Sequence, residues 1–140
     1  MNVYLDSSAA LRDLLEGDGA TAIRALVGGA EHVATSRLTL AEVGRVIARL
    51  RTLDPQAAAR IAARESEFLS DTEAWILQPI DEDVLARCAR PFPVEPVRLL
   101  DGIHLASIER LSSALEGLIV VTTDERVRRN AQALGFEVRP

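Results

Sequence analysis

Residues 118–138 read LIVVTTDERVRRNAQALGFEV, and this stretch decides the fold. LIVVTT (118–123) has the β-branched, apolar make-up of a buried strand. Asp124 opens a helix that runs to Leu134, Gly135 stops it, and FEV (136–138) starts a further strand. A strand, a helix and a strand in succession make a crossover, which leaves the two strands parallel. Working outward, VYLD (3–6), HVATS (32–36) and WILQPI (75–80) read as further strands. Helices are expected from Ser7 or Ser8 through Leu15, over Ala20–Val27, from Ser36 to Arg51, and after the Asp54-Pro55 start to about Ser70. Another runs from Asp81 to Ala89, and RLLDGIHLAS (98–107) opens one more after the proline-rich loop PFPVEP (91–96). Alternating strands and helices predict an α/β sandwich around a largely parallel sheet. Neither an internal repeat nor a linker interrupts it, so residues 1–140 are expected to form one domain.

Composition narrows the class. Hydrophobic residues make up 48% and charged residues 26%, a globular rather than a disordered balance. Cys88 is the only cysteine, which excludes a disulfide framework and fits a reducing cytoplasm. The N-terminus carries no basic segment and Asp6 interrupts its apolar run, so no signal peptide is expected. No apolar run approaches the roughly 20 residues of a membrane span. The net charge of −5 argues against a broad electrostatic grip on nucleic acid. All 16 basic residues are arginines, which codon bias explains for most of them, although arginine also grips phosphate bidentately. Aromatics are only 4%, too few for a base-stacking platform.

The acids carry the chemistry. In open parallel sheets, function gathers at the carboxyl ends of the strands. Asp6 ends the first strand and Asp124 follows LIVVTT, although each alone reads equally as a helix cap. Glu42 lies in line with Leu38 and Val46, facing partly inward, where an ion pair with Arg45 or Arg49 is the simpler reading. Asp101 is the hardest to dismiss. At about 100° per residue it shares a stripe with Leu105 and Ile108, and pairing with Arg98 satisfies one bond without explaining that stripe. A buried, unpaired carboxylate is expensive. Carboxylates converging on one spot would also raise one another's pKa values, a conflict that a hard divalent cation removes.

Four stretches, in order, carry a resemblance. YLDSSAAL (4–11), LAEVGR (40–45), LLDGIHLAS (99–107) and VTTDERVRRNAQALGFEV (121–138) resemble the PIN domain, and within it the VapC-type ribonuclease toxins of bacterial toxin–antitoxin pairs. The likeness spans residues 3 to 138. It implies a Rossmann-like, three-layer sandwich with a mostly parallel central sheet, and a metal-dependent endoribonuclease. The family's acidic quartet falls on Asp6, Glu42, Asp101 and Asp124, with Asp6, Asp101 and Asp124 holding Mg²⁺ or Mn²⁺. Ser8 and Thr122 match its supporting hydroxyls. The resemblance also implies an RNA substrate, products with 5′-phosphate and 3′-hydroxyl ends, a VapB-like antitoxin and a homodimer. Gly102 departs from the family's commoner alanine and loosens a helix start.

His104, one turn from Asp101, is read as packing behind the acids rather than as a general base, because water on a metal needs no histidine to become nucleophilic. His32 reads as structural, Cys88 as a small buried hydrophobe and Trp75 as core. A phosphoacceptor receiver would use a lysine, and the chain has none. A haloacid-dehalogenase-type phosphatase would place a second aspartate where Ser8 stands. The stronger rival is a PIN-like binding module without activity, which the presence of all four acids opposes.

Overall fold

The computed structural model describes residues 1–140. Five strands form one sheet: β1 (Asn2–Leu5), β2 (His32–Ser36), β3 (Ile76–Gln78), β4 (Leu118–Val121) and β5 (Glu137–Arg139). Their order is β3-β2-β1-β4-β5, and all four pairings are parallel. The connections supply α1 (Ser7–Leu14), α2 (Ala20–Gly28), α3 (Arg37–Leu53), α4 (Pro55–Asp71), α5 (Glu82–Cys88), α6 (Leu99–Ser112) and α7 (Glu125–Ala133). The expected three-layer α/β sandwich is what the chain adopts.

Side-chain alternation along the strands builds the layers. Val3 and Leu5 of β1, with Val121 of β4, pack on one face against Ala9, Leu14, Ile23, Val43, Ile47, Ile61 and Phe68. Tyr4, Ala34, Leu118 and Val120 pack on the other face against Leu105, Ile108, Val127 and Ala131. A sheet covered on both sides needs apolar residues at successive positions, which is why VYL and LIVV read as unbroken runs. Leu38, Val84, Ile103 and Ala106 form a smaller cluster tying α3, α5 and α6 together.

Helix starts follow their caps. Ser36 accepts from Leu38 N, Asp54 from Ala57 N, Asp81 from Val84 N, and Asp124 from the amides of Arg126 and Val127. Gly135, at φ 91°, takes the left-handed turn that ends α7. One expectation shifts. WILQPI pairs only over Ile76–Gln78, an edge strand left short by Pro79. Leu99 and Leu100 are 66% and 46% exposed, because α6 dives under the sheet only from Gly102 onward. No helix is long and apolar enough to cross a membrane.

Sheet order positions the site. The chain leaves β1 toward β2 and β3, then returns to β4 on the other side of β1, so the winding direction reverses between β1 and β4. A cleft opens at the carboxyl ends of strands on either side of such a reversal. Asp6 follows β1 and Asp124 lies just beyond β4, both at this point.

Gly44 is exposed in the middle of α3, and a Cβ there would meet nothing within 4 Å. Gly44→Ala is therefore expected to raise unfolding stability by about 0.5–1 kcal/mol in urea titration, through helix propensity alone. A loss of stability would show that α3 does not run as an ordinary helix there.

Candidate active site

Asp6 is 1% exposed, and it occupies the cap position of α1 without capping it. Its Oδ2 accepts from Ser8 Oγ at 2.6 Å and from Thr122 Oγ1 at 2.8 Å. Ser8 Oγ in turn accepts from Thr123 N, and Thr122 Oγ1 from Asp124 N. Two hydroxyls, each fixed by the backbone past β4, thus lock one oxygen of Asp6. Its other oxygen, Oδ1, is buried without a hydrogen-bond partner. A helix cap would not leave an oxygen in that state, because burying an unsatisfied acceptor costs about 1–3 kcal/mol.

Asp124 does serve as a cap. Its Oδ1 accepts from Arg126 N at 2.8 Å and Val127 N at 3.1 Å, so the simpler reading holds for that oxygen. Asp101 leans inward from the first turn of α6, with its side chain 17% exposed. Arg98 stands off at 3.8 Å and is itself 69% exposed, which is a loose pair. Asp101 Oδ2 is buried without a hydrogen-bond partner. Desolvation, then the charges of Asp124 and Asp6, raise its pKa, while Arg98 and His104 offset this only in part. Like charges therefore meet at this spot. Gly102, beside it, has ordinary room for a methyl group, which would lie 3.4 Å from Phe92 Cε2.

Glu42 comes from α3 and pairs with neither Arg45 nor Arg49. Its Oε2 lies 2.8 Å from His104 Nε2. Burial pushes its pKa up, but hydrogen bonds from His104 and Ser7 and the charge of His104 outweigh that and leave it below the usual range. His104 is 2% exposed. Its Nδ1 lies 2.8 Å from Tyr4 Oη and 3.3 Å from Asp6 Oδ1, and its Nε2 lies 3.2 Å from Ser7 Oγ. Burial pulls the imidazole pKa down, yet Asp6, the Glu42 bond and the Glu42 and Asp101 charges together raise it.

Sequence reasoning placed His104 behind the acids and missed how many of them it touches. A signal was present: Tyr4 on β1 and Asp6 just past its end share parity and so face α6, the side on which His104 sits. Ser7, read as a possible helix cap, instead serves this ring. Burial, then the charge of Asp6, hold the Tyr4 hydroxyl well above its ordinary pKa. Tyr4→Phe removes a buried partner of Nδ1 and is expected to lower stability by about 1–3 kcal/mol. Urea unfolding would measure it, and a neutral result would mean that the ring is satisfied without the phenol.

The structure thus draws Asp6, Glu42, Asp101, Ser8, Thr122 and Asp124 to one end of the sheet. As they stand, no three His, Cys, Asp or Glu side chains close on one point as a ready-made metal cage. The donors nevertheless suit a hard cation: all are carboxylate oxygens, and two of them are buried with nothing to bond. Mg²⁺ and Mn²⁺ keep several waters and are held by few carboxylates, so a dedicated cage is not required.

Comparison with known proteins agrees with this architecture. A family model described as PIN domain matches residues 3–133. Ribonuclease VapC46 of Mycobacterium tuberculosis is 34% identical over 136 residues, covering 97% of this chain and 95% of that protein. Ribonuclease VapC45 of the same species is 29% identical over 141 residues, covering 99% and 94%. Among solved structures, FitAcB from Neisseria gonorrhoeae superposes with a TM-score of 0.69 at 23% identity, covering 99% of this chain and 96% of that one. Mycobacterium tuberculosis VapC20, a sarcin-ricin-loop-cleaving toxin, superposes at 0.62 with 18% identity, covering 99% of each chain.

Proposed function

Because this chain belongs to the PIN domain family, we propose that it is a metal-dependent endoribonuclease and the toxin of a type II toxin–antitoxin pair. The observation that carries this reading is Asp6. It is a buried carboxylate with one oxygen clamped by Ser8 and Thr122 and the other without a hydrogen bond, 3.3 Å from His104 Nδ1. Asp6, Asp101 and Asp124 would hold Mg²⁺, for which Mn²⁺ can substitute, and Glu42 completes the acidic pocket. Bound there, the cation would neutralise charge on the phosphodiester and acidify water. The chain's own part is to fix the oxygens. Ser8 and Thr122 orient Asp6, the start of α7 orients Asp124, and the packed middle of α6 holds Asp101 at the cleft. In the reaction, water adds to phosphorus and the bond to O3′ breaks, which leaves 5′-phosphate and 3′-hydroxyl ends.

The partners proposed are RNA, a VapB-like antitoxin and a second copy of the chain, all within the cytoplasm. Leu14 and Ile23 are buried between α1, α2 and the sheet, whereas Leu11 and Leu26 are half-buried and Leu15 is 43% exposed. The latter three remain free to meet an antitoxin segment. The test is brief expression followed by sequencing of RNA ends, with Asp6→Asn as control. New 5′-phosphate ends that vanish in the variant are expected. Ends shared by both proteins would assign the cleavage to another enzyme and leave a silent binding module.

A further inference from the structure

The His104 ring bonds more side chains than any other group beside the acids, and the chemistry proposed above does not use it. A carboxylate can only accept a hydrogen bond, and Glu42 is held below the usual carboxylate range. The 2.8 Å contact to Glu42 Oε2 therefore requires a proton on Nε2. On the other side of the ring, Tyr4 Oη and Asp6 Oδ1 face Nδ1 at 2.8 and 3.3 Å. Ser7 Oγ adds a contact to Nε2 at 3.2 Å. The ring itself cannot turn away. It is 2% exposed and meets the fully buried Tyr4 ring edge-on at 6.2 Å between centroids.

Glu42 is less confined, held at its carboxylate by His104 with Ser7 as a second donor. Its side chain is 24% exposed on α3, it is in no ion pair with an arginine, and it has three rotatable torsions to fix. His104 is the fixed point to which it is tied. We infer that His104 is a positioning residue: by donating Nε2–H to Oε2 it fixes the Glu42 carboxylate across the ring from Asp6, joining α3 to β1 through α6. This inference rests on the reading of the acids as an RNA-cleaving centre. It adds that the Glu42 position is set by the histidine rather than by α3.

Two substitutions separate positioning from packing. The amide nitrogen of glutamine overlies Nε2, whereas that of asparagine overlies Nδ1. His104→Asn therefore deletes the donor to Glu42, and His104→Gln keeps it. His104→Asn is expected to lower kcat about 10–100-fold with KM for RNA little changed, and His104→Gln to recover most of the loss. In a Glu42→Ala background, His104→Asn should cost nothing further. A second readout needs neither metal nor turnover. In the metal-free wild type, the His104 Nε2 proton should appear in imidazole NMR spectra as a slowly exchanging signal, and Glu42→Ala should abolish that protection.

Equal losses in the asparagine and glutamine variants, or additivity with Glu42→Ala, would overturn the inference. So would a protected Nε2 proton that ignores Glu42→Ala. An inactive Asp6→Asn beside a fully active His104→Asn would reject the histidine's role and keep the centre. An active Asp6→Asn would reject the centre, and the NMR proton would still decide whether His104 holds Glu42. Where His104→Asn fails to fold, the wild type and Glu42→Ala spectra carry the test.

Discussion

Asp6→Asn is expected to slow RNA cleavage by more than about a hundredfold while leaving the protein folded. The substitution suits the site. The amide oxygen can take the place of Oδ2 and go on accepting from Ser8 and Thr122. The amide nitrogen then stands where Oδ1 made no hydrogen bond, so no existing bond is broken. Only the negative charge and one lone-pair oxygen are lost, and those are what a hard cation needs. Melting temperature and initial rate measured on one preparation check this. A variant that cleaves as fast as the wild type would remove Asp6 from the chemistry. One that fails to fold would show that the charge itself holds the β1–β4 junction.

Asp101→Asn should separate stability from activity by sign. Desolvation and the charges of Asp124 and Asp6 raise the Asp101 pKa in the folded protein. A raised folded pKa means stability that is complete below the unfolded value of about 3.9 and is lost as pH rises through the folded value. At neutral pH the ionised carboxylate is thus a net burden on the metal-free protein. Asparagine removes it. The variant should be more stable in EDTA at pH 7 by up to about 1 kcal/mol, a modest figure because water reaches the carboxyl and screens it. Cleavage should be lost. Mg²⁺ at a hundred times its dissociation constant should stabilise the wild type by about 2.7 kcal/mol and the variant far less. If Asp101 mainly served Arg98, the variant would instead melt lower in EDTA. The 3.8 Å separation and the exposure of Arg98 speak against that.

What was legible in the sequence followed from local rules. LIVV and VYL announced buried parallel strands because both faces of this sheet are covered. Ser36, Asp54 and Asp81 announced their helices because a cap is a local bond. The inward lean of Asp101 followed from helical periodicity once Leu105 and Ile108 were taken as core, and both are fully buried. Less legible was anything set by contacts distant in sequence. Asp6 and Asp124 both looked like caps, and only the tertiary fold shows that Thr122 and Ser8 free Asp6 from that task whereas Asp124 performs it. His104 looked like packing because its partners lie 97 residues away at Ser7, 100 at Tyr4 and 62 at Glu42. No window along the chain brings those together.

The central claim is that these acids cleave RNA by way of a divalent cation. The measurement that tests it most directly is the initial rate of RNA cleavage by EDTA-stripped protein as Mn²⁺ is added back. The rate should start at background, rise to saturation with added Mn²⁺, and stay at background for Asp6→Asn throughout. Cleavage that proceeds undiminished in EDTA, and with equal speed in the variant, would contradict it.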